Sequence, residues 1–218
     1  MSLRNKRILI TAGPTWVPLD AVRVISNTAT GETGILLAGK LQKLGAKVTL
    51  LLGPARVCCL DTRIELKRFT FFDELKRAIT GELSSRKYDI AIQTAAVADY
   101  KLRLAFKEKI GSGIKRLRLE LVPTPKIINM IKDIDHDIYL VGFKFEPKAT
   151  KRILIAEAKS LMKRAKVDLT IANTVYKNRY QAYLIGKDKI EGPLNNKTQL
   201  AGKLVRTLTD VFEQQLLK

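Results

Sequence analysis

The sequence predicts an α/β protein: a Rossmann-like three-layer αβα sandwich with a mostly parallel sheet and a C-terminal hairpin extension. Three observations lead there. Apolar runs of strand length alternate with segments whose apolar residues recur at helical spacing. The first run, "KRILITAG" (6–13), is apolar along most of its length, as a strand covered on both faces should be. One late segment, "QAYLIGKDKIEGPL", has two strand-like runs around a turn at Gly186–Asp188.

The elements follow in order. "GETGILLAGKLQKLG" (31–45) reads as a helix, because Ile35, Ala38 and Leu41, with Leu37 and Leu44, recur at helical spacing and Gly45 closes it. One reading of the turn before that helix makes Thr30 its expected N-cap. "AKVTLLLG" (46–53) is a second strand and "IELKRF" a third, followed by a helix at "DELKRAITGEL". "YDIAIQTAA" (88–96) is a strong strand. "KRLRLELV" (115–122) alternates strictly, which predicts a half-exposed strand. "PKIINMIKDI" is a helix with Pro125 at its start. "YLVGFKF" is a strand, "ATKRILIAEAKSLMKRA" a helix and "VDLTIAN" a strand. A last helix runs from about Lys197 to Leu217. The 218 residues suffice for one core, so a single domain spanning 1–218 is expected.

Composition narrows the function. No apolar run is long enough to span a bilayer, and the amino terminus lacks a signal-peptide pattern. A cytoplasmic protein without membrane contact is expected. Cys58 and Cys59 are adjacent, which suits reduced thiols better than a disulfide, and two thiols alone do not make a zinc site. His136 is the single histidine, which argues against histidine-based triads and histidine-ligated metals. The net charge of +19 points to anionic partners. The basic residues are scattered, and no nucleic-acid-binding signature is present, so no specific nucleic acid is expected. A basic nucleic-acid-binding protein is nevertheless one alternative reading of that charge.

In a parallel sheet of this kind, ligands bind beyond the carboxyl ends of the strands. Gly13, the polar stretch "VISNTATGETG" (24–34), "AAVADY", "FKFEP" and "ANT" all follow predicted strands. The first connection, of about seventeen residues, far exceeds the roughly 2–6 usual for such loops. Gly31 and Gly34 permit close backbone approach, and a helix amino terminus there offers N–H groups to an anion. Asn27 adds an amide donor, and Arg23 a guanidinium suited to phosphate. The same features also describe a tight turn before a helix. An NAD(P)-binding Rossmann dehydrogenase is a second alternative. It would need a Tyr-x-x-x-Lys pair on a helix, and the only such spacing, Tyr183 to Lys187, falls in the predicted hairpin.

Four stretches, in order, resemble phosphopantothenate–cysteine ligase, the phosphopantothenoylcysteine synthetase of coenzyme A biosynthesis: "ITAGPTWVPLDAVRVISNTATGETG", "TAAVADY", "KEKIGSG" and "VGFKFE" with "VDLTIANTV". The resemblance runs from about residue 6 to 210 and implies a free-standing form without the decarboxylase domain. It implies activation of 4'-phosphopantothenate by CTP to an acyl-cytidylate, with ATP as the alternative nucleotide and Mg²⁺ as cofactor. Amide formation with cysteine follows, in a homodimer. Asn27 would contact the activated acyl group, with Arg23 near the same substrate. Ala95 and Ala96 would face the nucleotide through their backbone. Asp99 would bind it directly or through its metal. Lys109 would stabilise negative charge developing on phosphate, and Phe143 would pack on the base. Lys159 and Lys163 would reach the triphosphate. The "FKEKIGSGIK" loop would be a flap. The chain departs from the family pattern at Pro14, at Gly111 and at Lys126, which reverses a charge near the expected nucleotide pocket. The half-exposed "KRLRLELV" strand is a candidate contact for a second copy.

Overall fold

The computed structural model describes residues 3–55 and 60–216, so Cys58 and Cys59 lie outside the described residues. Five parallel pairings build the sheet around β1 (Arg7–Ala12). On one side of it lie β4 (Lys47–Leu52) and β5 (Glu65–Arg68). On the other lie β6 (Ile90–Gln93), β9 (Tyr139–Phe145) and β10 (Leu169–Tyr176). Two antiparallel strands, β11 (Arg179–Ile185) and β12 (Ile190–Leu194), extend the far edge as the expected hairpin. The direction of travel reverses between β1 and β6. A crevice at the carboxyl edge of the sheet opens at such a reversal.

Burial on both faces explains the apolar strands. Ile8 and Ile10 of β1 join one core cluster, whereas Leu9 joins the other. The first face is covered by α1 (Glu32–Lys43) and α5 (Lys197–Leu216), which contribute Leu37, Ala38, Leu41, Leu200, Leu204 and Leu208. The second is covered by α2 (Phe72–Ser85), α3 (Ile127–Ile134) and α4 (Lys151–Ala165), through Leu75, Ile79, Ile127, Ile131 and Leu161. The sandwich therefore has the predicted three layers. Among the described residues, no helix is long and apolar enough to cross a membrane.

Helix ends obey local chemistry. Gly45 has φ +85°, and its N–H donates to Gln42 O at 2.9 Å while that of Ala46 donates to Leu41 O at 3.3 Å. This is the paired closure that a left-handed residue after a helix permits. At the other end of α1 the expectation for Thr30 needs correction. Gly31 is the N-cap, with φ +75°, and it carries no side chain to cap the helix. Thr30 Oγ1 accepts only from the Glu32 amide, at 3.4 Å. Pro125 likewise stands one residue before the N-cap of α3, Lys126, not inside the helix.

The alternating segment 115–122 also differs from its expectation. Only Leu121–Pro123 (β8) forms a strand, paired antiparallel with Tyr100–Leu102 (β7). A strand needs a partner for its backbone groups. The partner offered by β7 is three residues long, so residues 115–120 run irregular and exposed. A second short ribbon, β2 (Trp16–Pro18) with β3 (Val24–Ser26), sits inside the long first connection.

Candidate active site

The crevice between β1 and β6 is built from the two loops that leave those strands. Gly13 turns the chain off β1 at φ +79°, and its carbonyl accepts from the Ala96 amide at 3.0 Å. The Ala96 carbonyl accepts in turn from the Thr15 amide at 3.2 Å. Thr15 is fully buried, and its hydroxyl accepts from the Ala98 amide at 2.9 Å. The two loops are thus laced together by backbone and one threonine. The expected backbone role of Ala96 toward a nucleotide therefore changes: its N–H and C=O are already engaged within the protein. Ala95 sits beside it, half-buried, with its amide on Thr11 Oγ1 at 3.3 Å.

Asn27 is drawn into the same lacing. Its Nδ2 donates to Ala96 O at 3.0 Å, which fixes an otherwise exposed carboxamide above the crevice. Close packing brings α1 to this edge. A Cβ on Gly34 would lie 2.5 Å from Ala12 Cβ and 2.7 Å from Thr94 Oγ1, so only glycine lets the helix sit this low. A Cβ on Gly31 would approach the Gly13 amide nitrogen to 3.2 Å. The uncapped amino terminus of α1 consequently points its partial positive charge into the crevice.

Arg23 has a different setting from the one expected. Its Nε and Nη2 bind Asp20 Oδ2 at 2.8 and 2.5 Å, and Nη2 also donates to the Ile110 carbonyl at 2.7 Å. Asp20 is the hub. Its side chain is fully buried and accepts from the Val22 and Arg23 amides at 2.9 and 2.8 Å, and from the Ile110 amide at 3.0 Å. The Arg23 guanidinium, followed by these amides, holds the Asp20 carboxyl well below the usual carboxylate range. Asp20 and Arg23 thereby grip both backbone groups of Ile110, a buried residue next to exposed Lys109. Phe106 adds a further tie, its amide donating to Leu19 O at 3.2 Å. Asp20 stands in the quoted "PLDAVR" stretch, yet no sequence signal assigned it this role. The clue was a carboxylate three residues before an arginine.

Asp99 lies at the end of the β6 loop, and Lys126 Nζ meets its Oδ1 at 2.5 Å. Among the described residues, no group of three His, Cys, Asp or Glu side chains converges to hold a metal ion. The donor set at Asp99 is a single carboxylate already paired with the Lys126 ammonium, which does not fit a Mg²⁺ site held by the protein alone. Phe143, half-buried on β9, packs against the α1 side of the core at the same sheet edge. Lys159 and Lys163 are not brought here. Leu154, Ala158, Leu161 and Ala165 turn inward from α4, while the two lysines stand off that face, exposed. They lie about 12 and 18 Å along the helix from Lys151, at about 1.5 Å of rise per residue.

Residues 3–211 match the family described as DNA/pantothenate metabolism flavoprotein C-terminal domain. This chain belongs to that family. As a member of this C-terminal-domain family it is 36% identical over 208 residues to the coenzyme A biosynthesis bifunctional protein CoaBC of Thermococcus kodakarensis, covering 93% of this chain and 51% of that protein. The chain spans about half the length of the curated relatives it matches. Its fold resembles that of the DNA/pantothenate metabolism flavoprotein from Streptococcus pneumoniae, with TM-score 0.85 and 24% identity over 94% of this chain and 99% of the other. It also resembles a Cab2 H337A variant in complex with phosphopantothenate-cysteine, with TM-score 0.77 and 18% identity over 99% of this chain and 90% of the other.

Proposed function

We propose that this chain is a phosphopantothenate–cysteine ligase unit, a single domain that joins 4'-phosphopantothenate to cysteine with CTP, or ATP, as activating nucleotide. The observation that carries this reading is that the long first connection both bears Asn27 and anchors the loop that bears Lys109. Asn27 is fixed by Ala96 at the β1/β6 crevice, and Lys109 is tied to the same hairpin through Ile110, Asp20 and Arg23. Membership of the family and identity to a coenzyme A biosynthesis protein support it. The fold shared with a protein crystallised with phosphopantothenate-cysteine agrees with it.

The chemistry suits these groups. The substrate carboxylate oxygen attacks the α-phosphorus of the nucleotide, and pyrophosphate leaves. The cysteine amine then attacks the acyl carbon, loses its proton and expels the nucleoside monophosphate. Neither step needs a histidine. Both need charge neutralisation and alignment. Asn27 aligns the acyl group, Lys109 meets charge on phosphate, the α1 amino terminus with Gly13 and Gly31 receives an anion, and Phe143 packs the base. Ala95 and Ala96 shape the wall, and Asp99 serves the nucleotide side of it through its partner Lys126. Mg²⁺ enters with the triphosphate as its chelate, as part of the substrate. Arg23 serves by holding the Lys109 loop.

A homodimer working in the cytoplasm completes the reading. Leu104, Ile114, Leu117, Leu119 and Leu121 are all exposed along one excursion of the chain, and Leu104 is 83% exposed. The irregular backbone of 115–120 lies in the same stretch and could pair with a second copy. Light scattering on wild type and on Leu117→Asp checks this; a monomeric wild type would refute the dimer.

The ligase test is pyrophosphate release with phosphopantothenate, Mg²⁺ and CTP or ATP, with and without cysteine, in wild type, Asn27→Asp and Lys109→Gln. Release with one nucleotide that both variants lose supports the assignment. No release with either nucleotide overturns it.

A further inference from the structure

We propose that Lys126 occupies the place beside Asp99 that a divalent cation would need, so that Asp99 is a positioning residue for Lys126 and not a metal ligand. This rests on the ligase reading for its consequence: the fixed ammonium of Lys126 meets the nucleotide's phosphate charge.

The pairing is built by the fold. Residues 100–102 and 121–123 are zipped as β7 and β8, with Tyr100 opposite Pro123. The Thr124 amide donates to Asp99 O at 2.9 Å, and its hydroxyl donates to Ala98 O at 2.6 Å. These bonds set the backbones of Asp99 and Lys126 side by side before their side chains meet. The two groups then close to 2.5 Å, with side chains 63% and 46% exposed.

Stability does not account for Lys126. An exposed ion pair contributes little to folding. Lys126 is also the N-cap of α3, which has no side-chain cap and no acidic residue in its first turn. A cation at that end opposes the helix dipole. Positive charge is therefore concentrated beside the crevice against the local preference of the helix, with Asp99 as its one charged contact among the described residues. An arriving dication would have to displace an ammonium that the backbone returns to the same position, and would gain one carboxylate. An arriving triphosphate meets an ammonium already held at the crevice and shares it with a single carboxylate.

The test has two arms. In the first, paramagnetic resonance follows Mn²⁺ added to nucleotide-free protein. Wild type should leave the free Mn²⁺ signal unchanged. Lys126→Asp, which sets a second carboxylate beside Asp99, should bind Mn²⁺, and Asp99→Asn in that background should release it. Mn²⁺ binding by wild type that Asp99→Asn abolishes would overturn the proposal. In the second arm, calorimetry measures CTP and ATP binding in EDTA. Lys126→Ala should weaken the bound nucleotide at least tenfold; unchanged affinity would overturn the role of Lys126. Failure of wild type to bind either nucleotide even when Mg²⁺ replaces EDTA would count against the ligase reading instead, while the Mn²⁺ arm still judges Asp99.

Discussion

Asp20 and Ile110, ninety positions apart in the chain, form a closed hydrogen-bonded ring with Arg23. The Ile110 amide donates to Asp20 Oδ2 at 3.0 Å, and Arg23 Nη2 bridges that oxygen to the Ile110 carbonyl, 2.7 Å away. The ring places Lys109 by its backbone and leaves its side chain in solvent. Asp20→Asn should release residues 103–113 to limited proteolysis and lower ligase turnover roughly ten- to a hundredfold, the scale set by small misplacements of a catalytic group. Affinity for phosphopantothenate should change less than turnover. Equal cleavage of the loop in both proteins would refute the clamp.

The same carboxylate sets an acid limit. Its folded pKa is depressed below an unfolded value of about 3.9, chiefly by Arg23. Its contribution is thus complete above about pH 3.9 and is lost as pH falls through the folded value. Hydrogen-exchange protection of the Ile110 amide should hold from pH 7 down to about pH 4 and fall only below that. Loss of protection beginning near pH 6 would contradict it.

A basic limit is expected elsewhere. Tyr88 is buried between Thr49 and Glu82, donating its hydroxyl to the Glu82 carboxylate. Burial, then the hydrogen bond to Glu82, pushes its pKa up to about 12. The contribution is present below about pH 10, the unfolded value, and is lost as pH rises through 12. Denaturation of wild type should show a stability loss in that window that Tyr88→Phe lacks. The variant should also be less stable at pH 7 by about 1–3 kcal/mol, because Glu82 loses a donor.

Gly34→Ala tests how low α1 sits. The added carbon would fall 2.5 Å from Ala12 Cβ. Overpacking of this kind costs about 1–3 kcal/mol, or several degrees of melting temperature at about 2–4 °C per kcal/mol. Nucleotide and substrate binding should fall with it, because the helix terminus retreats from the crevice. An unchanged melting temperature would show that α1 can shift without strain.

Most of the layer order was legible in the sequence, because strands such as 7–12 and 139–145 are apolar along most of their length and the helices carry one apolar stripe. The site was partly legible. Asn27 and Gly31 lie in the connection after β1 and Phe143 near the end of β9, and strand ends reveal themselves by composition. Asp20 did not, since its partners include backbone groups of a residue far along the chain. The alternation at 115–122 was present but misleading: pattern reports which faces a strand would have, not whether a partner exists. Lys159 and Lys163 stay exposed on α4, outside the lacing at the crevice. Helical spacing put them on one face, and the core claimed the other.

The lacing of Gly13, Thr15 and Asn27 to residues 96 and 98, with the Asp20 ring beyond it, makes the loops from β1 and β6 one inherited unit. A chimera that grafts residues 13–31 from a relative while keeping the native 94–126 would mismatch several bonds at once. Swapping both together should preserve the fit. Substrate preference in this family should therefore be exchanged between members as a matched pair of loops, and drift in one should be answered by drift in the other.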